Sequence, residues 1–248
     1  MNVAAIVPAA GVGRRVGGRV NKLLLSLNGA PLLAHTLGAL QRSATIRWIV
    51  PVVRSDDRAA VETLMRRHKI TKALHPCVGG ASRADSVACG MAALPREATW
   101  VLVHDGARPC VSPRLIDAAV RLARRDGAVA CGVPASLTVK AADERGTVRV
   151  TLDRDRLWFV QTPQVFRRDW FEQALERANS HLETFPDDAA LVESAGFLVR
   201  MIPGDPLNLK VTTRDDLLLA DAILKSRMRG RKREAGNWKL EQARVTSV

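Results

Sequence analysis

Aromatic side chains are scarce: five tryptophans, five phenylalanines and no tyrosine amount to 4% of 248 residues. An RNA reader that stacks bases on aromatic rings needs more, and no DNA-recognition-helix signature stands beside them. Cysteine is equally sparse. Cys77, Cys89, Cys110 and Cys131 are far apart, with no C-x-x-C pair and no histidine at metal-ligand spacing. A disulfide framework and a structural zinc site are therefore not expected, and the four residues read as small hydrophobes in a reducing compartment. Also missing is a run of roughly 20 apolar residues, the length a membrane span needs. The chain enters an apolar stretch at once, without a basic leader or cleavage site. A soluble, cytoplasmic protein with no membrane partner is expected.

Acidic residues are outnumbered, 25 against 38 Lys and Arg, for a net charge of +13. Residues 225–248 hold eight Lys or Arg against Glu234 and Glu241, a local excess of +6. This stretch reads as a basic C-terminal tail, solvated and disordered in part. The remaining charge is spread thinly and suits an enzyme that handles phosphorylated substrates. A nucleic-acid-binding protein is the competing class; it would hold generic duplex with a steep salt dependence. Without a nucleic-acid-reading motif, nucleic acid is not the expected partner.

What the chain does have is 47% hydrophobic residues in a repeating order, an apolar run, a polar or Gly-rich turn, then a helical period. Strands are expected over residues 3–7, 48–53, 72–78, 100–104, 128–133 and 198–202. Helices are expected over 31–41, 57–68, 82–94, 113–125, 168–178, 187–195 and 214–225. Such alternation implies an α/β fold, a mostly parallel sheet covered by helices on both faces, with right-handed crossovers. The rhythm lapses over residues 135–154, which read as two extended arms around Asp143-Glu144-Arg145-Gly146. A lone ribbon is marginal, so this arm must fold over the active site or reach a neighbour. No linker divides residues 1–224, which are expected to form one domain.

In an open parallel sheet, ligands bind at the carboxyl ends of the strands. The loop after the first strand runs Pro8-Ala9-Ala10-Gly11 to Lys22 and contains Arg15. Small residues let the backbone approach an anion, and Arg15 and Lys22 add positive charge, the combination that holds a polyphosphate. It is neither a P-loop, since Lys22 is followed by Leu23, nor a dinucleotide fingerprint, since Gly11-Val12-Gly13-Arg14-Arg15 ends in Val16. A second cluster, Gly79-Gly80 with Ser82, Arg83 and Ser86, reads as a tight turn into a capped helix whose donors could read a base or ribose. The third, His104-Asp105-Gly106-Ala107-Arg108-Pro109, puts an aspartate at the end of a buried run. That carboxylate must be paired or coordinate a cation, and Mg²⁺ prefers one or two carboxylates plus phosphate oxygens. His104 reads as a supporting or packing residue. Lys210, between Leu209 and Val211, could be a surface lysine or point inward to a shared anion site.

Taken in order, these segments resemble the 2-C-methyl-D-erythritol 4-phosphate cytidylyltransferases of the non-mevalonate isoprenoid pathway. The likeness spans about residues 3–224 and also rests on Thr138, Asp153-Arg154, Gln161-Thr162-Pro163-Gln164 and Lys210-Val211-Thr212. It implies a Rossmann-like sheet, a homodimer joined by a protruding hairpin arm, and a Mg²⁺-dependent transfer from CTP to methylerythritol phosphate. By position, Arg15, Lys22 and Lys210 would be catalytic, contacting the triphosphate and its α-phosphorus. Ala9, Ala10, Gly11, Gly80, Arg83 and Ser86 would surround the nucleotide, with Asp105 on the metal. Arg108, with Thr138 and Arg154 from the partner's arm, would grip the acceptor phosphate.

Three positions depart from the family pattern. Asn21 replaces a proline before the lysine, which is expected to loosen the loop. Leu207 stands where some relatives have an acidic residue, so no second metal carboxylate is assigned. Arg156 replaces a small residue. A ribitol 5-phosphate cytidylyltransferase would share the nucleotide loops, and Thr138 with Arg154 favours methylerythritol phosphate over it.

Overall fold

The computed structural model describes residues 2–11, 21–178 and 181–245, and side chains within these as far as Arg229. Arg15 falls outside the described residues. In chain order the elements are β1 (Val3–Pro8), β2 (Ser26–Leu27), β3 (Ala30–Pro31), α1 (Leu32–Arg42), β4 (Ile46–Val53), α2 (Arg58–Arg67), β5 (Cys77–Val78), α3 (Arg83–Ala92) and β6 (Trp100–Val103). There follow α4 (Pro113–Asp126), β7 (Ala128–Pro134), β8 (Val139–Ala142), β9 (Val148–Leu152), β10 (Trp158–Arg167), α5 (Arg168–Ala178), α6 (Asp188–Ser194), β11 (Arg200–Pro203) and α7 (Arg214–Val245).

Seven strands make one sheet in the order β11-β7-β10-β6-β1-β4-β5. All neighbours are parallel except β10, which runs antiparallel to both β6 and β7. The alternation of side chains along β1 divides the core. Val3, Ala5 and Val7 face one layer with Leu33, Leu37 and Leu40 of α1 and Ile116 and Val120 of α4. Ala4 and Ile6 face the other, with Val87 and Met91 of α3, Phe171 of α5 and Val192 of α6. Strands buried on both faces must read as continuous apolar runs. Hence the sheet covered on both faces, expected from the sequence, is what forms.

Helix ends follow from local chemistry. Ser82 caps α3, its side chain accepting from Asp85 N–H while Asp85 accepts from Ser82 N–H, a reciprocal capping box. Ser112 caps α4, Pro113 opens it, and Gly127 ends it at φ 84°, a left-handed conformation that suits glycine.

Three elements differ from the sequence reading. The strand expected over 72–78 shrinks to β5, with only an isolated bridge from Ala73 to Ile49. β10 is the one long addition to the expected strands, beside the short pair β2–β3. The last helix does not stop near residue 225 but continues as α7 to Val245, because the added residues, rich in Arg, Lys, Glu and Ala, favour helix. Residues 139–152 form a separate antiparallel ribbon of β8 and β9, and Val148 and Val150 on it, with Leu137 just before it, are exposed. Among the described residues no helix is long and apolar enough to cross a membrane.

Candidate active site

The carboxyl end of β6 delivers His104 and Asp105 into the interior; Asp105 is 6% exposed. Its carboxylate is ringed by cations. Arg83 Nε donates to Oδ1 at 3.0 Å, Lys210 Nζ lies 2.9 Å from Oδ2, and Arg108 Nε lies 3.7 Å from the same oxygen. Burial would raise the pKa of this acid, but the positive charges of Arg83, Lys210 and Arg108 overcome it and hold Asp105 well below the usual carboxylate range. It stays ionised at neutral pH.

Arg83 also donates through Nη2 to Asp188 Oδ2 at 2.8 Å. One guanidinium thus bridges a β6 carboxylate and the first turn of α6, and burial raises the pKa of Asp188 despite that pairing. Arg108 is 8% exposed and donates through Nη1 to Asn208 O at 2.7 Å. Its Nε has no hydrogen-bond partner, so the ionic contact with Asp105 is what compensates that end.

Behind Asp105 lies a chain of neutral groups. Thr162 Oγ1 accepts from Asp105 N–H at 3.0 Å and is also 3.0 Å from His104 Nδ1. His104 Nε2 faces Arg108 O at 3.4 Å. A neutral imidazole with its proton on Nε2 satisfies this pattern. Burial of the ring lowers its pKa to about 4, consistent with that form. Asn208 Nδ2 donates to Thr162 O at 2.7 Å and so ties β10 to the segment before α7.

The first-crossover loop meets the same place. Lys22 opens a short 3₁₀ turn, Lys22–Leu24, and its Nζ donates to Val211 O at 2.8 Å, one residue from Lys210. Asn21 itself is fixed at the described end of that loop. It is buried, its Oδ1 accepts from Leu23 N–H at 3.0 Å, and its Nδ2 donates to Asp57 at 2.8 Å.

At the mouth of α3, Ser86 is buried and donates to Ser82 O at 2.9 Å. Gly79 lets this turn touch the first loop: a Cβ there would lie 2.9 Å from Ala10 Cβ and 2.6 Å from Ser86 Oγ. Ala10 and Ser86 are therefore neighbours, and Gly80, next in the turn, lies against the backbone and Cβ of Asp85. Gly106 N–H donates to Pro8 O at 3.1 Å and Ala9 N–H to Val52 O at 2.7 Å, which brings the ends of β1, β4 and β6 together.

A cleft of about 430 Å³ opens beside Asp105, walled by Arg83, Arg108 and Lys210, by Thr162 and Gln164 of β10, and by Asp187 before α6. Thr138 and Arg154 are exposed at the base of the ribbon, where Val139 pairs with Leu152, Arg154 donating to Ser136 O at 2.9 Å, and neither lines this cleft. Of the expected site residues, then, Lys210, Arg108 and Arg83 converge on Asp105, and Lys22 reaches the backbone beside Lys210. Ala9, Ala10, Gly11, Gly80 and Ser86 belong to adjoining turns. Thr138 and Arg154 stand apart from them.

Asp188, Asn208 and Asp205 carry no signal in the sequence reading. Polar residues in a helix cap or an irregular segment have no periodicity to mark them, and only Gln161-Thr162-Pro163-Gln164 marks β10 as unusual. For a metal, no group of three or more His, Cys, Asp or Glu occurs among the described residues. Asp105 alone suits a hard cation that draws its other ligands from phosphate and water, as Mg²⁺ does.

Comparison with known proteins agrees with this geometry. Residues 3–226 match the family model of 2-C-methyl-D-erythritol 4-phosphate cytidylyltransferase, IspD. The chain is 42% identical over 235 residues to the enzyme of that name from Pelotomaculum thermopropionicum, covering 94% of this chain and 98% of that one. It is 40% identical over 224 residues to the one from Syntrophus aciditrophicus, covering 90% and 96%. Among solved structures, 4-diphosphocytidyl-2C-methyl-D-erythritol synthase from Anaerococcus prevotii superposes with a TM-score of 0.80 at 28% identity, over 90% of this chain and 96% of that one. The 2-C-methyl-D-erythritol 4-phosphate cytidylyltransferase of Thermus thermophilus does so at 0.73 and 30% identity, over 91% and 100%. With its sheet order, its cation-ringed aspartate and this match over nearly its whole length, the chain belongs to the 2-C-methyl-D-erythritol 4-phosphate cytidylyltransferase family.

Proposed function

We propose that this enzyme transfers the cytidylyl group of CTP to 2-C-methyl-D-erythritol 4-phosphate, releasing pyrophosphate, in isoprenoid precursor synthesis. One observation carries the reading: Lys210, Arg83 and Arg108, drawn from three separate segments, gather around Asp105 at the carboxyl end of β6, and Lys22 from the first crossover donates to Val211 O, next to Lys210. An acceptor phosphate oxygen is already ionised, so attack on the α-phosphorus needs no general base. What remains is to position two anions against each other and to neutralise the charge that builds up in the transition state.

In this reading Lys22, Lys210 and Arg15 contact the triphosphate and share the negative charge of the pentavalent phosphorus. Ala9, Ala10, Gly11, Gly80, Arg83 and Ser86 form the nucleoside side. Arg83 serves it chiefly by orienting Asp105, since its Nε and Nη2 are both engaged by carboxylates. Mg²⁺, held by Asp105, would draw electron density from the bridging and leaving oxygens. The cleft takes the polyol phosphate, with its anion toward Arg108.

Thr138 and Arg154 complete that acceptor site from the arm of a second copy. Support for a homodimer comes from the apolar residues exposed on the ribbon, Val148 and Val150, together with Leu137 just before it and Phe159 beside it, a patch that a soluble monomer seldom leaves open. The cytoplasm is the proposed location.

Pyrophosphate release from CTP, measured with methylerythritol phosphate and with ribitol 5-phosphate, tests the reading. Turnover with the first and little with the second is expected. Clear preference for ribitol 5-phosphate would overturn the acceptor assignment, and no turnover with either would overturn the activity.

A further inference from the structure

Residues 204–213, between β11 and α7, carry Lys210 and Asn208 yet have no regular secondary structure. Their placement rests on individual bonds. Val211 N–H donates to Ala107 O at 2.8 Å, and Asp205 exchanges two bonds with the Gln161 side chain, at 3.0 and 3.2 Å. Asp205 O accepts from Asn208 N–H at 2.8 Å, while Asp205 Oδ1 accepts from Leu207 N–H at 2.8 Å. Asp205 is therefore the knot of the segment.

Its other oxygen, Oδ2, is held at 2.8 Å by Arg227 Nη2 from α7, and both side chains are 26% exposed. The same guanidinium donates through Nη1 to Cys110 O. One side of Arg227 thus grips the segment that bears Lys210, and the other grips the end of the 105–110 loop that bears Asp105 and Arg108. A planar fork with fixed donors can fasten two acceptors in one geometry; a lysine ammonium cannot do so as rigidly. Arg227 also lies one residue beyond the family-matched span of 3–226.

We propose that Arg227 is a positioning residue for phosphoryl transfer, a strut from α7 that sets the separation between Lys210 and the Asp105–Arg108 loop. The inference rests on the roles given above to Lys210 and Arg108. A shift of about 1 Å in such groups can lower turnover by roughly 10²-fold. The pair is three-quarters buried, so water cannot readily substitute for it.

Full-length Arg227→Ala and Arg227→Lys variants, each also made in a Lys210→Ala background, supply the test. With Arg227→Ala, kcat should fall by about tenfold or more while the KM for CTP stays within about twofold. Arg227→Lys should recover part of the loss. In the Lys210→Ala background, removing Arg227 should lower kcat by clearly less than in the parent, since part of the strut's effect runs through that lysine. A residue that merely stabilises the fold would lower the melting temperature and leave kcat per folded subunit unchanged. A kcat for Arg227→Ala within about twofold of the parent, or equal losses in both backgrounds, overturns the proposal. Amide hydrogen exchange reads the strut without turnover: Leu207, Asn208 and Val211 should exchange faster in both single variants, and unchanged exchange also overturns it. An inactive parent would instead count against the proposed activity.

Discussion

Replacing Asp105 by asparagine removes one charge from the centre of three cations while keeping the shape of the side chain. The amide oxygen can still accept from Arg83 Nε, now 3.0 Å from Oδ1. The amide nitrogen, however, would face Lys210 and Arg108, donor against donor. Lys210 is 41% exposed on its side chain and can turn into water, so its share of the loss is small. Arg108 cannot: its side chain is 10% exposed, and its Nε has no other partner. Removing one member of a buried pair costs about 3–5 kcal/mol. With one of the three contacts retained and one able to escape, the lower end applies, about 3 kcal/mol.

For a chain of this size that is a fall in Tm of roughly 6–12 °C. The pH dependence has a definite sign. A carboxyl whose folded pKa lies below its ordinary 3.8 stabilises the fold above that value and loses the effect as pH falls through the folded one. The gap between parent and variant should therefore be full at pH 7 and shrink only below about pH 4. Thermal and urea unfolding at pH 7 and about pH 3.5 measure it. A Tm loss under about 3 °C at pH 7 would refute the view that Arg108 depends on this charge.

His104 gives a pH signature of the same sign at higher pH. Its pKa falls from 6.5 to about 4 on folding, so below pH 6.5 the unfolded chain takes up a proton that the folded one refuses, and stability declines toward pH 4. Between pH 7 and pH 5 the loss should be about 2 kcal/mol, absent from a His104→Gln variant; parallel urea curves for the two proteins would contradict this. Lys22→Ala, Lys210→Ala and Arg15→Ala should each lower kcat by about 10²-fold or more, the effect of deleting a preorganised charge contact, whereas near-native turnover in any one would remove that residue from the machinery. Val150→Asp should shift the protein from dimer toward monomer in sedimentation velocity, and an unchanged sedimentation coefficient would place the interface elsewhere.

The parallel core is legible in the sequence because β1, β4, β6 and β7 are buried on both faces and so read as unbroken apolar runs. β10 is not, for a definite reason. A proline and two glutamines inside a run argue against a central strand, yet β10 sits between β6 and β7. The register shift between Val160 and Gln164 lets Pro163 lie where no ladder bond is needed. Gln164 is satisfied sideways instead, donating to Asp187 at 2.8 Å and accepting from Ala189 N–H at 2.9 Å.

At the site, Asp105 can be singled out because an acid ending a buried strand demands a partner, while Lys210, flanked by Leu209 and Val211, reads equally as a surface lysine, and in the structure it is 41% exposed on its side chain and still reaches Asp105. Arg83 reads from the sequence as a contact for the nucleoside. Its spacing from Ser86 places it correctly on α3, but nothing local announces that Asp105 and Asp188, 22 and 105 residues further along, claim its guanidinium. Long-range ion pairs leave no periodic trace. Arg227 escapes for the same reason, hidden in a run of basic residues that looks like a solvated tail.

A crystal structure of the enzyme with CTP and Mg²⁺ bears most directly on the claim that charges from separate loops converge on one triphosphate. Lys22 Nζ and Lys210 Nζ should both lie within about 3.2 Å of phosphate oxygens, with Asp105 coordinating the metal. A triphosphate bound away from Asp105, or one touched by neither lysine, would contradict it.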